Sequence, residues 1–392
     1  MRTRLPFILM ALVISDVYFF QAVETLTANP YVLWGYWLID ILLVAGFAYI
    51  VSRRTANKQP ARLISGLMAI TLLALVPKIF AMPVLLLEDT SRIFRHFPPR
   101  TYWVSELALI IALVPFFALL YGMTGGRHRY KVHRVTLAFD DLPKAFDGFT
   151  ITQLSDIHAG SFTSRSGVEK GVALVNKQKS DLILFTGDLV NNRASEMEPW
   201  IDSFSKLKAT HGKYSVLGNH DYGDYMKFEN EADKYANLNK LKKVQREIGF
   251  KLLLNEATQV EKDGQSIALI GVENWGKGGF HKYGDLTKAA ENIADDEFKI
   301  LMSHDPSHWE AKTLQHSKHI NLTLAGHTHG MQFGIELFGF KWSPIKYMYN
   351  QWAGLYERNM KYLYVNRGFG FLGFKGRIGI WPEIAVITLK RG

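Results

Sequence analysis

Acidic, amide and imidazole side chains recur in the second half of the sequence, each time directly after a short apolar run. The pattern occurs five times: 149–154 before Asp156 and His158, 181–187 before Asp188, 214–217 before Asn219, 298–302 before His304, and 320–325 before His327 and His329. Short apolar runs bounded by turn-forming residues predict buried strands of a parallel-type sheet. Open α/β sheets bind their ligands at the carboxyl ends of such strands, so these side chains are candidates for one binding site.

The residue types indicate metal chemistry, which no single position would establish. A lone acid at a strand end, such as Asp188 after Gly187, is ordinarily a solvated structural residue. Five strand ends that all carry Asp, Asn or His are a stronger signal, because carboxylate and imidazole groups are metal ligands. The chain has no cysteine, which excludes disulfides and thiolate-bound metals.

The elements that must position these side chains lie in the same part of the chain. Beyond the five runs, the sequence predicts strands at 132–139, 363–365, 368–371 and 384–389 and helices at 166–179 and 224–248. The helices carry polar and charged residues on their presumed outer faces, as expected of helices that cover a sheet. The predicted class of this part is therefore α/β.

The front of the chain has the composition of a membrane region. Four segments are predominantly apolar, at 6–23, 31–51, 63–87 and 102–121, and each is about 20 residues long, the length that a helix needs to cross a bilayer. A signal peptide is the alternative for the first segment, but no convincing cleavage site follows it. The predicted domains are a transmembrane region at 1–122, a juxtamembrane linker at 123–131 and a soluble domain at 132–392.

Charge is distributed unevenly between these parts. Residues 1–131 hold 13 Lys/Arg and 6 Asp/Glu, whereas the rest of the chain holds 33 and 30. The near balance of the larger part removes the electrostatic footprint of a nucleic-acid binder, so no nucleic-acid partner is expected. The basic linker predicts attraction to anionic lipid headgroups, which makes the lipid bilayer the expected partner.

Basic residues flank alternate ends of the four segments and predict an orientation. They are Arg2 and Arg4, then Arg53, Arg54, Lys58 and Arg62, and then Arg127, Arg129, Lys131 and Arg134. By the positive-inside rule, the amino terminus, the middle loop and the soluble domain face the cytoplasm. Arg92, Arg95 and Arg100 in an opposing loop make this bias imperfect. The expected location is the bacterial inner membrane, crossed several times.

Three charged residues fall inside the predicted spans. They are Asp16, Asp40 and Lys78. A charge within the bilayer is costly, so it ordinarily faces a partner or water. Pairing between helices is the favoured interpretation and a proton or substrate path the alternative, because the three charges form no repeated motif.

Taken together, the polar blocks resemble the calcineurin-like metallophosphoesterase superfamily. The blocks are Asp156-x-His158, Gly187-Asp188, Gly218-Asn219-His220-Asp221, a separate His304 and Gly326-His327-x-His329, in that order. The tail from Leu363 is similar to the bacterial membrane-associated branch. The resemblance implies a four-layer α/β fold, with two facing mixed β-sheets flanked by helices, preceded here by an all-α transmembrane region of about four helices.

The resemblance also implies a pair of divalent metal ions. One ion is expected on Asp156, His158, Asp188 and His329, and the other on Asp188, Asn219, His304 and His327, with Asp188 shared. This donor set suits Mn, Fe or Zn and does not select among them. Two such ions would generate a bridging hydroxide and clamp the reacting phosphate, so the implied enzyme is a metal-dependent phosphoric ester hydrolase. The glycines before the ligands would allow a close approach of the backbone.

Other residues are expected to act on the substrate. By resemblance, His220 faces the phosphate and either stabilises the transition state or protonates the leaving oxygen, and Asp221 orients the His220 imidazole. Arg367 and Arg377 in the tail could bind phosphate oxygens or pair with acidic neighbours. Lys277 lies in the glycine-rich loop 271–282, which is either a phosphate-side lid or an ordinary surface loop.

Three functions remain open on the sequence. The leading one is a membrane-tethered phosphoesterase or phosphodiesterase of lipid metabolism that cleaves a lipid-linked substrate, such as UDP-diacylglucosamine or a phospholipid. The second is an anchored phosphatase for soluble nucleotides or phosphoproteins, and the third is a catalytically silent sensor or scaffold. Aromatic residues interleaved with lysines in 333–352, including Trp342 and Tyr349, favour contact with the headgroup region. The oligomeric state has no sequence signal.

Overall fold

The structure is a computed structural model that describes residues 5–53, 61–279 and 281–392. The chain divides into two compact units. The helical unit comprises Met1–Thr124 and Gly373–Gly376, and the α/β unit comprises Gly125–Leu372 and Arg377–Gly392. The change from one unit to the other at Thr124 falls inside the segment that the sequence assigns to a linker.

Four long helices form the helical unit in its described part: α1 Leu5–Leu26, α2 Pro30–Arg53, α3 Ala61–Ile93 and α4 Tyr102–Met123. Three stretches of the described residues are long and apolar enough to cross a membrane: Pro30–Ile50, Gly66–Ile93 and Tyr102–Met123. The predicted helical region of about four helices is thus confirmed. Many of its large apolar side chains are exposed, as expected of a surface that faces lipid.

The charged residues of the spans have identifiable surroundings. Asp16 of α1 is buried and forms an ion pair with Lys78 of α3, so pairing between helices accounts for these two charges. The carboxylate oxygens of Asp40 in α2 are buried and have no hydrogen-bond partner among the described residues. The basic residues Arg2, Arg4, Arg54 and Lys58 lie outside the described residues.

The α/β unit contains short strands separated by helices and loops. In its described part the strands are β1 Lys131–Phe139, β2 Thr150–Leu154, β3 Leu182–Phe185, β4 Lys213–Ser215, β5 Lys251–Leu252, β6 Glu256–Lys262, β7 Gln265–Gly271, β8 Lys299–Met302, β9 Leu322–Ala325, β10 Ile335–Leu337, β11 Phe340–Trp342, β12 Gly354–Arg358, β13 Lys361–Val365 and β14 Glu383–Arg391. The helices are α5 Arg165–Asn176, α6 Ile201–Phe204, α7 Glu231–Glu247, α8 Leu286–Ala289 and α9 Ser307–Ala311.

Two mixed six-stranded sheets form the core of the described α/β unit. The first sheet has the order β1-β14-β2-β3-β4-β5, and β2 to β5 run parallel. The second sheet has the order β12-β13-β9-β8-β7-β6, and β13, β9, β8 and β7 run parallel. Strands β10 and β11 form a separate hairpin.

Alternation along β3 shows how the layers stack. Leu182 and Leu184 point into an apolar core that also contains Leu269 and Ile300 of the second sheet. Ile183 and Phe185 point the other way, into a second core with Val168 and Val172 of α5 and Val244 of α7. On the far side of the second sheet, Ile270 and Leu301 pack against Leu286 and Ala289 of α8. The predicted arrangement of two facing sheets with helices outside both is confirmed.

Two predicted elements differ from the structure. The helix expected at 224–248 begins at Glu231, because the Asn230 side chain accepts a hydrogen bond from Asp233 N and caps the helix there. The strand expected at 368–371 is an irregular loop. Gly368 has a φ of 84°, and its backbone N–H donates a hydrogen bond to the Asn366 side chain instead of to a neighbouring strand. The backbone therefore does not continue β13.

Candidate active site

The predicted ligands follow the parallel strands of the two mixed sheets, at the carboxyl ends of those strands. Asp156, Asp188 and Asn219 follow β2, β3 and β4, which are neighbours in the first sheet. His304 and His327 follow β8 and β9, which are neighbours in the second sheet. The carboxyl ends of parallel neighbours meet at one edge, so the topology alone groups these side chains.

Two clusters of potential ligand atoms result. Asp156, His158 and His329 form the first cluster, and Asp188, His304 and His327 form the second; within each, the ligand atoms lie within 4.8 Å of one another. In the first cluster, His329 Nε2 is 3.2 Å from Asp156 Oδ1 and 3.0 Å from His158 Nε2. Such a convergence of carboxylate and imidazole groups fits a divalent cation.

Asn219 completes the second cluster. Its Oδ1 lies 3.1 Å from His304 Nε2 and 2.8 Å from His327 Nδ1. The Asn219 Nδ2 donates to the hydroxyl of Tyr225 at 2.8 Å, which turns the amide oxygen toward the two imidazoles. The second cluster therefore offers a carboxylate, an amide oxygen and two imidazole nitrogens.

Asp188 joins the two clusters. Its Oδ2 lies 3.5 Å from His158 Nε2 in the first cluster and 3.1 Å from His304 Nε2 in the second. Its Oδ1 accepts a hydrogen bond from His220 N at 2.9 Å. A carboxylate between two groups of ligands is the arrangement that a shared bridging ligand requires.

The backbone at the ligands is strained. Five of the predicted ligands have a left-handed φ: Asp156 52°, His158 47°, Asp188 61°, His327 69° and His329 51°. Such conformations cost about 1–3 kcal/mol each and persist where the surrounding structure enforces them, commonly at functional sites. At Gly326, a Cβ would collide with the side chains of Ser155 and Asp156. The expected close approach of backbone at this glycine is therefore present.

The electrostatics of the clusters favour a cation. Burial lowers the pKa of His304, but the carboxylate of Asp188 outweighs burial and raises that pKa to about 10. Burial lowers the pKa of His158 to about 3, so its imidazole is neutral and keeps a lone pair to donate. The site thus combines negative charge with neutral imidazole, which is the chemistry that Mn, Fe and Zn ions bind.

His220 lies beside the two clusters. Its ring is 5.0 Å from the ring of His158 and 4.4 Å from that of Tyr225. The His220 Nδ1–H donates to the backbone oxygen of Asn191 at 2.8 Å. The expectation that Asp221 orients this imidazole is wrong, because the Asn191 carbonyl occupies that position.

Asp221 instead supports the loop that carries Asp188. Its carboxylate accepts hydrogen bonds from Gly218 N, Asp188 N, Leu189 N and Val190 N at 2.8–3.3 Å. Burial and the charge of Asp188 raise the pKa of Asp221 to about 7, whereas these hydrogen bonds lower it. Asp221 therefore fixes the backbone around Asp188.

The two arginines of the tail make internal contacts. Arg367 pairs with Glu383 at 2.7 Å and with Glu336 at 2.6 Å, which leaves its guanidinium engaged by acidic neighbours. Arg377 is fully buried, donates to Gly370 O and lies 3.2 Å from His329 Nδ1. Their assignment to substrate stays a prediction, and these contacts favour pairing and positioning roles.

Lys277 lies in an exposed loop that is tied to the second cluster. Its backbone N–H donates to Ser307 Oγ at 2.9 Å, and Ser307 N in turn donates to Asp305 Oδ1 at 2.8 Å. Phe280 of the same loop lies outside the described residues. A substrate contact of Lys277 also stays a prediction.

Sequence reasoning missed several residues that contact the ligands. Asp305 and Tyr349 approach His327, Tyr225 holds Asn219, and Asn191 holds His220. Asp305 had a weak signal, because it is an acid directly after a ligand. Tyr349 lies 22 residues from His327, and nothing in a single sequence connects the two.

Comparison with known proteins gives matches over most of the chain. Residues 1–127 match the family model "Probable Calcineurin-like phosphoesterase, transmembrane domain", and residues 149–331 match "Calcineurin-like phosphoesterase". The uncharacterized metallophosphoesterase YkuE of Bacillus subtilis is 30% identical over 67% of this chain and 86% of its own length. An uncharacterized metallophosphoesterase of Aquifex aeolicus is 27% identical over 70% of this chain and 98% of its own.

A vertebrate relative shares the combination of domains by name. The "Transmembrane protein with metallophosphoesterase domain" of Danio rerio is 29% identical over 73% of this chain and 63% of its own length. The chain thus spans less than two-thirds of that relative.

The fold, the clusters and these matches define the class of protein: the chain belongs to the calcineurin-like phosphoesterase family. It is a membrane protein and a metal-dependent phosphoesterase that uses two divalent metal ions.

Proposed function

We propose that two divalent cations are held by Asp156, His158, Asp188, Asn219, His304, His327 and His329, as the resemblance implied. The observation that carries this proposal is the position of Asp188 Oδ2 between His158 and His304, one imidazole from each cluster. Bound there, two such ions would activate a water molecule and neutralise the charge of a phosphate group.

His220 is the proposed proton donor of the reaction. Its Nδ1–H is engaged by Asn191 O, which leaves Nε2 as the nitrogen that can exchange a proton with the substrate. The ring contacts with His158 and Tyr225 limit its rotation.

The proposed substrate is a lipid-linked phosphoester or pyrophosphate, met at the inner membrane from the cytoplasmic side. The supporting feature is the β10–β11 hairpin, which begins six residues after His329. Ile335, Leu337, Phe338 and Phe340 of this hairpin are exposed, and Phe338 is 98% exposed. A contiguous exposed apolar surface beside a site marks a contact with lipid, ligand or protein.

The hairpin turn is costly to build. Phe338 and Gly339 both have a positive φ, 49° and 83°, as in the tight turns that favour Asn-Gly. A bulky residue with positive φ is an outlier that needs a reason. The hairpin is also fixed in place, since Glu336 of β10 pairs with Arg367, which precedes the Gly368 beside Asp156 and His329.

The test compares acylated and deacylated substrates. Hydrolysis of lipid-linked phosphodiesters or pyrophosphates should be much faster than hydrolysis of their deacylated headgroups. The reason is that the exposed apolar side chains of the hairpin can contact an acyl chain, which the deacylated headgroups lack. In Phe338→Ser the difference in kcat/KM between acylated and deacylated substrates should become smaller. Phe338 is better suited to this test than Trp342 or Tyr349, because Trp342 is half-buried and the Tyr349 hydroxyl contacts His327.

The matched control is Tyr235→Ser, which removes an exposed aromatic ring from α7 on another part of the unit. It should leave the difference unchanged. Equal rates on acylated and deacylated substrates in the unmodified protein would instead support the anchored phosphatase for soluble nucleotides or phosphoproteins.

A further inference from the structure

Groups of opposite charge lie just outside the two clusters. The carboxylate of Asp305 is beside the second cluster, with Oδ2 3.5 Å from His327 Nε2. The guanidinium of Arg377 is beside the first, with Nη2 3.2 Å from His329 Nδ1. Both side chains are buried, so their charges act on neighbouring ions with little screening by solvent.

Hydrogen bonds prepare the second cluster for a cation. The His327 Nε2–H donates to the Tyr349 hydroxyl at 2.9 Å, and that hydroxyl donates to Asp305 Oδ2 at 3.3 Å. The His304 Nδ1–H donates to Thr186 O at 2.8 Å. His304 Nε2 and His327 Nδ1 are therefore the nitrogens that face Asn219 Oδ1, and the Asp305 carboxylate behind His327 places a negative charge beside this cluster.

Hydrogen bonds in the first cluster have the opposite effect. A guanidinium has only donors, so His329 Nδ1 accepts from Arg377 and the hydrogen of the neutral ring lies on Nε2, 3.2 Å from Asp156 Oδ1. A cation at this cluster therefore has to bind next to a fixed positive charge. Arg377 is held in place, because Nε and Nη2 donate to Gly370 O at 2.8 and 2.6 Å.

We propose that the two metal ions bind in a fixed order, the second cluster first, and that Asp305, Tyr349 and Arg377 are the positioning residues that set this order. Counting the carboxylates alone would predict the reverse order, since the first cluster has Asp156 in addition to the shared Asp188. The buried charges of Asp305, beside the second cluster, and of Arg377, beside the first, reverse that preference. This inference rests on the ligand assignment under Proposed function.

The experiment titrates Mn²⁺ into the purified full-length protein after removal of metal by a chelator. Free Mn²⁺ is measured by its electron paramagnetic resonance signal, which requires no turnover. The unmodified protein should bind one ion tightly and a second more weakly. His158→Ala should lose the weaker ion and keep the tight one, whereas His304→Ala should lose the tight one.

The roles of Asp305 and Tyr349, the groups outside the second cluster, are tested separately. Asp305→Asn should lower the affinity for the tightly bound ion by about 10–100-fold, the usual effect of losing a partner of a ligating histidine. Tyr349→Phe removes only the hydroxyl and should act in the same direction, and it serves if Asp305→Asn fails to fold. Tyr347→Phe, which changes an exposed ring two residues away, should leave both affinities unchanged.

The outcomes separate this inference from the proposed ligands. If the tight ion disappears in His158→Ala and survives in His304→Ala, the order is wrong while the ligands stand. Unchanged affinities in both Asp305→Asn and Tyr349→Phe would overturn the role of the outer groups. Failure of the unmodified protein to bind Mn²⁺ would overturn the ligand assignment itself, and the order with it.

Discussion

Asp188 is the residue on which both clusters depend, because its carboxylate contacts an imidazole of each. We expect Asp188→Asn to abolish hydrolysis and to weaken the binding of both metal ions. The substitution removes a charge but keeps the shape of the side chain, so the hydrogen bond from His220 N to the side-chain oxygen can persist. Metal analysis and a phosphodiesterase assay on the same preparation measure the two effects. Two tightly bound ions with full turnover would contradict the shared role.

His220 provides the complementary case, since it is proposed to act without binding metal. His220→Ala should retain both ions and slow the reaction by about two to four decades, the usual contribution of general acid–base catalysis. Single-turnover rates and metal content are the measurements. The matched control is His281→Ala, which changes an exposed histidine outside the motif blocks and should alter neither. Loss of a metal ion in His220→Ala would make His220 a ligand.

At the scale of single residues, the sequence predicted which side chains meet but not what holds them. Asp156, Asp188 and His304 could be proposed because each follows an apolar run, and strand ends converge in a parallel sheet. The contact of Arg377 with His329 could not be predicted, because it depends on the conformation of the chain between two residues that are 48 positions apart. For the same reason the sequence assigned the orientation of His220 to its neighbour Asp221 rather than to Asn191.

Among the elements, the loops after the strands are as constrained as the strands themselves. Gly326 directly follows β9, at a point where a Cβ would overlap the Ser155 and Asp156 side chains. Gly326→Ala should lower the free energy of unfolding by about 1–3 kcal/mol, as overpacking of a close contact does. For a unit of this size each kcal/mol corresponds to about 2–4 °C in the thermal midpoint.

Calorimetry of the purified protein measures this shift. Gly279→Ala is the control, because a Cβ there would meet open space, and its midpoint should be unchanged. Equal midpoints for the two variants would show that the loop around Asp156 yields easily and that the close approach at Gly326 carries no cost.

The strands at the buried apolar runs were predicted correctly, whereas the start of α7 and the strand expected at 368–371 were wrong, and both outcomes have a physical reason. Buried runs such as 182–185 are specified by their own apolar residues, which pack on both faces of a sheet. The start of α7 depends on a cap at Asn230 that a charged segment does not reveal by periodicity. The loop after Arg367 contains apolar residues at strand spacing, but the backbone of Gly368 directs the chain elsewhere.

For the whole molecule, the remaining question is which side of the membrane the α/β unit faces. The sequence bias is imperfect because Arg92, Arg95 and Arg100 lie in the loop that should be poor in basic residues. Two of these arginines are ion-paired within the helical unit: Arg92 with Asp89 at 2.6 Å, and Arg100 with Glu88 at 3.0 Å and Asp89 at 2.8 Å. The side chains of Arg92 and Arg100 are thus engaged in ion pairs within the helical unit.

The basic residues at the start of the α/β unit have no acidic residues close to them in the sequence. Arg127, Arg129, Lys131 and Arg134 follow α4 within a dozen positions, and the nearest acids along the chain are Glu106 and Asp140. Basic residues this close to the end of a span favour retention in the cytoplasm. We therefore expect a reporter that is active only in the periplasm to be silent when fused after Gly392, and a reporter that is active only in the cytoplasm to give signal at the same position. The reverse pair of signals would place the α/β unit, and with it the substrate pool, on the opposite face of the membrane.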